Sequence, residues 1–224
     1  MVEKTSSAGT TRVIIDTSPD FREQMLSANV SEIDGIWYTH EHADHTHGID
    51  ELRVFYLRQR KFVPAWADTP TVKLLKHRFA YCFASPEGSN YPPIVEHNLI
   101  EPETEIKTQG QGGALFSLPF IVHHGNIDAL GFRVGNVAYT PDVNGVPDTS
   151  LQHLEGLDFW IVDALRLKPH PSHFSLPETL GWIERLKPKQ AIITNMHIDM
   201  DYESLRKTLP SNVTPAYDGM TFEA

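Results

Sequence analysis

Residues 35–48 constrain this chain more than any other stretch. The apolar run Gly35-Ile36-Trp37-Tyr38 reads as a buried strand, and it leads directly into Thr39-His40-Glu41-His42-Ala43-Asp44-His45. Three histidines and two carboxylates in seven residues form a cluster that no hydrophobic core accepts, so the segment reads as a metal site. Imidazole together with carboxylate suits zinc, manganese or iron. Side chains alternate along an extended segment, which puts His40 and His42 on one face. Asp44 and His45 follow as the chain turns into a helix and must point elsewhere. Such spacing serves two adjacent ions better than one. A solvated acidic loop of pH-sensitive histidines is the plain alternative, and it leaves this density of ligand types unexplained.

The same residues carry a resemblance. His40-Glu41-His42-Ala43-Asp44-His45 matches the His-x-His-x-Asp-His pattern of the metallo-β-lactamase superfamily, with the preceding strand and Gly48 where that family has them. The resemblance implies an α/β fold, an αββα sandwich of mixed sheets flanked by helices, with the loop closing over a two-metal centre. It places His40 and His42 on one ion and Asp44 and His45 on the other. The pattern is specific for the fold and much less so for the substrate.

Length and charge narrow the class. The 224 residues suit one sizeable domain spanning 1–224. Relatives of the resembled family begin earlier, with a strand and a glycine-rich loop that are missing here. A formal net charge of −10 argues against DNA or an anionic membrane as partner. A small phosphorylated, nucleotide-like substrate stays compatible, because bound dications supply local positive charge. Cys82 is the sole cysteine, so there is no disulfide framework and a buried apolar role is expected. No apolar run approaches the ~20 residues that span a bilayer, and no export signal is visible. The expectation is therefore a cytoplasmic protein, with a homodimer left open.

Along the chain, strands are expected at 11–16, 62–67, 105–108, 114–122, 129–135, 136–140, 157–162 and 190–194. Helices are expected at 21–28, 48–57, 69–83, 148–154 and 176–186, the last with Ser175 as cap and Glu178 as its box partner. Met1 to Thr10 reads as a hairpin turn, residues 85–93 as an irregular loop, and 212–222 as the segment closing the sheet. The resemblance implies that Asp16, at the end of its strand, supports the metal loop; a plain turn-capping role is the equal alternative. Arg53 is a candidate phosphate contact or a surface ion-pair partner.

Three later segments complete the constellation. In His123-His124-Gly125, the resemblance makes His124 the third histidine of the first ion and leaves His123 structural. Thr140-Pro141-Asp142 resembles the family's Ser/Thr-x-Asp, which makes Asp142 the carboxylate bridging two ions. In the loop from Asp163 to Ser175, the resemblance narrows to the branch containing the phosphoribosyl cyclic phosphodiesterase, where a histidine before the next helix faces the substrate phosphate. His173 holds that place, with Arg166 and His170 as orienting residues. After the strand ending at Thr194, the family's ligand histidine is replaced by Asn195. His197, two residues on, can share its side of an extended segment and is expected on the second ion.

The chemistry implied is hydrolysis. Two divalent ions, zinc or manganese, make a bridging hydroxide available at neutral pH and polarise a phosphoryl oxygen. Asp44 steers the nucleophile, and His173 supplies the leaving group's proton or holds the phosphate. The resulting expectation is a phosphodiesterase acting on a small cyclic or nucleotide-like ester. Thioester or lactone hydrolysis is the alternative within the same fold. A non-catalytic nucleotide- or metal-binding protein with a vestigial centre, suggested by Asn195, is the alternative from another class.

Overall fold

A computed structural model describes residues 1–224. It divides into two compact units, residues 1–116 and 117–224, each described by itself. Unit 1 contains β1 (Val2–Ser6), β2 (Gly9–Ile15), α1 (Phe21–Ser27), β3 (Gly35–Trp37), α2 (Ala43–Thr46), α3 (Leu52–Gln59), β4 (Val63–Ala67), α4 (Thr69–Arg78), α5 (Ala80–Phe83), β5 (Val95–Leu99) and β6 (Ile106–Gly110). The chain continues through β7 (Gly113–His124) into β8 (Ile127–Val134), β9 (Val137–Thr140), α6 (Asp148–Leu151), β10 (Phe159–Asp163), α7 (Leu176–Leu186), β11 (Gln190–Thr194), α8 (Tyr202–Thr208) and β12 (Val213–Pro215).

The strands form two mixed sheets, one ordered β1-β2-β3-β4-β5 and the other β12-β11-β10-β9-β8-β7-β6. In the first, the β1–β2 hairpin is antiparallel, while β2, β3, β4 and β5 run parallel. All three residues of β3 are buried, as a strand covered on both faces requires. Around it Phe21, Ile36, Tyr38, Ile49, Leu52 and Val63 form the core of unit 1. Trp37 buries its ring completely and satisfies its indole N–H on Thr108 Oγ1 at 3.1 Å. In unit 2, β9, β10, β11 and β12 are parallel, and β8 is antiparallel to both β7 and β9. Phe120, Val122, Trp160, Val162, Ile183 and Ile193 build its core.

These directions fix where loops emerge. Parallel strands deliver their C-terminal ends to one edge of a sheet, the place where α/β proteins bind ligands. In unit 1 that edge receives Asp16 after β2 and His40 after β3. In unit 2 it receives His124 at the end of β7, Asp142 after β9, Asp163 at the end of β10 and Asn195 after β11.

Several expectations are adjusted. The helix expected over 69–83 is broken at Phe79, whose φ of −129° leaves the helical region, so α4 and α5 are separate. Residues 2–6 form a true strand, and Val95–Leu99 adds an edge strand that its polar composition concealed. Residues 216–222 contribute no strand beyond β12. α7 spans Leu176–Leu186 and carries the Ser175–Glu178 capping box.

Candidate metal centre

The histidine loop of unit 1 is held from below by one carboxylate. Asp16 adopts a left-handed φ of 62° immediately after β2, which turns its side chain into the loop. Its Oδ1 accepts from Thr39 N at 2.7 Å, and its Oδ2 accepts from Thr39 Oγ1 and from His45 Nδ1, each at 2.7 Å. The Thr39 hydroxyl proton is thus committed to Asp16, so Thr39 Oγ1 accepts from His40 Nδ1 at 3.0 Å. Both rings therefore carry their proton on Nδ1 and keep the Nε2 lone pair for coordination. Asp16 supports the loop, as one of its two sequence readings held.

Backbone bonds close the same loop. Thr17 N donates to His45 O and Gly48 N donates to Thr17 O, at 2.8 and 2.9 Å. Gly48 is required by close approach: a Cβ there would stand 2.1 Å from the Ser18 carbonyl oxygen. Arg78, at the end of α4, donates to Glu41 O at 2.7 Å. The ring of His40 lies 4.6 Å from that of His42 and 4.2 Å from that of His45, and Asp44 Oδ2 lies 3.6 Å from His45 Nε2. Arg53 is paired with Asp50 at 3.2 Å, which matches its reading as an ion-pair partner.

Unit 2 repeats the device. His124 is buried and donates from Nδ1 to Ser172 O at 2.7 Å, so its Nε2 lone pair faces Asp142 Oδ2 at 3.5 Å. His173 donates from Nδ1 to Asp163 Oδ2 at 2.7 Å and brings Nε2 to 3.9 Å from the same Asp142 oxygen. The rings of His124 and His173 are 4.7 Å apart. Asp163 also accepts from Val143 N at 3.2 Å, while its Oδ1 is buried without a hydrogen-bond partner. Burial pushes its carboxyl up from 3.8 to about 6, against the opposing pull of His173 and the Val143 N–H. Sequence reading assigned Asp163 no role. The available signal was a carboxylate ending an otherwise apolar buried strand, Phe159–Asp163.

The proline-stiffened loop orients its own groups. His170 Nδ1 accepts from Ser172 N at 3.3 Å, so this ring carries its proton on Nε2, opposite to the other four. Burial, then the charges of His173 and Arg166, hold its pKa below the ordinary 6.5. Arg166 donates to Lys168 O and Pro169 O at 3.1 and 2.6 Å and so shapes the loop. His123 pairs with exposed Asp128 at 2.8 Å.

Asn195 and His197 divide differently from the sequence expectation. His197 is half exposed, with Nδ1 3.3 Å from Asp199 Oδ2. Asn195 instead turns inward, its Nδ2 3.3 Å from Asp142 Oδ1 and 3.5 Å from Pro141 O. The physical reason is local. Asn195 has a φ of 60°, so the chain leaves the extended conformation there and the two-residue alternation stops.

Side chains that could hold a metal ion are therefore His40, His42, Asp44 and His45 in unit 1 and His124 and Asp142 in unit 2. Imidazole nitrogens with fixed tautomers and anionic oxygens fit a borderline divalent ion. The model for the β-lactamase superfamily domain matches residues 11–198. The chain belongs to this superfamily. It is similar to a crystallised diphosphatase of the PhnP family, with 36% identity, a TM-score of 0.85, and coverage of 95% of this chain and 79% of that one. It also resembles the metallo-β-lactamase fold protein YhfI of Bacillus subtilis, 16% identical with a TM-score of 0.75, over 96% of this chain and 87% of that one, which shows the fold alone. Among curated proteins it is 27% identical over 214 residues to an octanoyltransferase of Porphyromonas gingivalis (strain ATCC BAA-308 / W83). That match covers 93% of this chain but only 42% of the relative, so the chain spans less than half of that protein's length. Two mixed sheets flanked by helices are the fold of this superfamily, and fold and neighbours together indicate a metal-dependent hydrolase. No helix is long and apolar enough to cross a membrane.

Proposed function

We propose that the protein is a dinuclear metal-dependent phosphodiesterase acting on a small phosphate ester or diphosphate, cyclic or nucleotide-like. The observation that carries this reading is the Asp163–His173 pair beside Asp142, in a chain 36% identical to a diphosphatase. Zinc or manganese would be held by His40, His42, Asp44 and His45 of unit 1 and by His124 and Asp142 of unit 2. When bound, such ions lower the pKa of coordinated water and neutralise charge on a phosphoryl oxygen.

The chain's own groups supply the rest. Protonated His173 gives the leaving oxygen its proton from Nε2, and Asp163, fixed at Nδ1, holds the ring in place and stabilises its positive charge. His170, kept neutral near pH 7, offers Nε2–H to a phosphoryl oxygen. Asp44, on the exposed start of α2, orients the attacking water. Arg166 keeps the loop in shape through its bonds to Lys168 O and Pro169 O.

The test is a matched panel of cyclic phosphodiesters, nucleotide diphosphate esters, thioesters and lactones, assayed on metal-loaded protein. Turnover of the phosphorus substrates is expected, and His173→Ala should lower kcat by about 10²–10⁴-fold with metal content unchanged. Hydrolysis confined to acyl substrates, or full activity of the His173→Ala protein, would refute the reading.

A further inference from the structure

We propose that Asn144 is a positioning residue for the proton donor His173, its side-chain amide tying the proline-stiffened loop before α7 to the turn after β7. The inference rests on the leaving-group role given to His173 above and deepens it.

The loop has few means of fixing itself. Pro169 and Pro171 have no backbone N–H, so two of the donors that would anchor it are missing. Arg166 binds Lys168 O and Pro169 O, but it stands at the start of the same loop. Anchors from outside fall on either side of His173. Asn144 Nδ2 donates to Pro171 O, His124 Nδ1 donates to Ser172 O, and Phe174 N donates to Val143 O, each at 2.7 Å. The residues flanking His173 are thus held by the end of β7 and by the segment after β9.

Asn144 is itself well fixed. Its N–H donates to His123 O at 2.8 Å, and the next residue, Gly145, accepts at its O from His123 N at 2.8 Å. Its Oδ1 accepts from Gly125 N at 3.0 Å. The partners settle the amide orientation, since Gly125 offers an N–H and Pro171 a carbonyl. One amide plane therefore joins the turn after His124 to the loop that carries His170 and His173. Gly125 completes the fit: its φ is 66°, and a Cβ there would stand 2.8 Å from Ser172 Cβ. A side chain at position 144 without an N–H leaves Pro171 O unheld. Asp163 still grips His173 Nδ1, but Nε2 is then free to swing about that bond, away from its place 3.9 Å from Asp142 Oδ2. Misplacing a reacting group by about 1 Å costs on the order of 10²-fold in rate.

The experiment separates placement of the proton donor from general loss of structure. Wild type, Asn144→Ala, Asn144→Asp and His173→Ala are assayed at saturating Mn²⁺ on two phosphodiesters. In a nucleoside 2′,3′-cyclic phosphate the leaving alkoxide needs a proton; in bis(p-nitrophenyl) phosphate the leaving phenolate does not. Asn144→Ala should lower kcat on the cyclic ester by about 10–100-fold and on the p-nitrophenyl ester by no more than about threefold. Asn144→Asp keeps the acceptor for Gly125 N and loses the donor for Pro171 O, so it should show the same selective loss, which covers the case in which the alanine variant folds poorly. Amide hydrogen exchange in a chelator gives a readout apart from turnover: exchange at Phe174 should rise by roughly 2–10-fold in both variants, with α7 unchanged. Equal losses on the two esters, no loss on either, or unaltered exchange at Phe174 would overturn the inference. If His173→Ala is selective and the Asn144 variants are not, the phosphodiesterase reading stands without it. Turnover of neither ester by wild type would overturn both.

Discussion

Asp16→Asn isolates the hydrogen-bond chemistry under the histidine loop. Asparagine, like aspartate, is among the non-glycine residues most at ease at a φ of 62°, so the backbone is undisturbed. Only the acceptor set changes. With Oδ1 still accepting from Thr39 N, the new NH₂ points at Thr39 Oγ1–H and at His45 Nδ1–H, two donors that each sat 2.7 Å from a carboxylate oxygen. A hydrogen bond to a charged group contributes about 1.5–3 kcal/mol. Rotation of the hydroxyl and a tautomer change at His45 recover part of the two that are lost, leaving a net cost of about 2–4 kcal/mol. For a chain of this length 1 kcal/mol moves Tm by about 2–4 °C, so the chelated protein should melt roughly 5–12 °C lower. The tautomer change has its own consequence, because His45 then carries its proton on Nε2 and offers no lone pair to an ion. Metal affinity should fall by about 10–100-fold. The assays are thermal unfolding in a chelator and metal titration at neutral pH. A melting temperature within about 2 °C of wild type, together with unchanged metal affinity, would refute the argument that Asp16 sets the tautomers.

Two buried residues, Asp163 and Gly48, give further tests. Asp163, raised from 3.8 to about 6, gains a proton as pH falls through 6 and then ceases to accept from His173, so kcat/KM should decline on the acid side of about 6. Asp163→Asn should lower the plateau and remove that limb from the pH profile. The sign for stability is the reverse of the usual carboxylate. Between pH 4 and 6 the folded state holds a proton that the unfolded chain has lost, so the Asp163 contribution to stability falls as pH rises across this window. It is read as the Tm difference between wild type and Asp163→Asn at each pH. Gly48→Ala should destabilise by about 3 kcal/mol in denaturant unfolding, since its methyl would meet backbone rather than a movable side chain. A cost under about 0.5 kcal/mol would show that the Ser18 segment can yield.

Local chemistry was legible in the sequence and long-range accommodation was not. His40, His42, Asp44 and His45 are adjacent, and their types alone point to a metal. Asp142 and His124 are reached through motif resemblance at strand ends, and His124 Nε2 lies 3.5 Å from Asp142 Oδ2. Asp163, Thr39 and the Ser172 carbonyl were not assigned, because their roles exist only once loops after different strands meet. His197 was chosen by two-residue alternation, a rule that holds only while the backbone stays extended. The left-handed turn at Asn195 ends that condition, and its one sign in Thr194-Asn195-Met196-His197 is the tolerance of asparagine for that conformation. Edge strands were the weakest part of the fold reading. β1 and β5 each pair on one side only, so their sequences carry little of the apolar alternation that marks a buried strand.

The two units solve one problem in the same way. A histidine binds an ion or moves a proton reproducibly only if its other nitrogen is fixed, and in both units an aspartate at the end of a parallel strand fixes it. Asp16 follows β2 and fixes His45, which comes from the segment after β3. Asp163 ends β10 and fixes His173, which lies just before α7. In each case the carboxylate stands at a strand end or directly after it, while the imidazole comes from a loop. The sheet thus sets the position of the loop histidine through a single charged bond. Positions of each loop that make no such bond can then vary without moving the reactive nitrogen, provided that the strand-end aspartate, the histidine it grips and, in unit 1, Thr39 and Gly48 are retained.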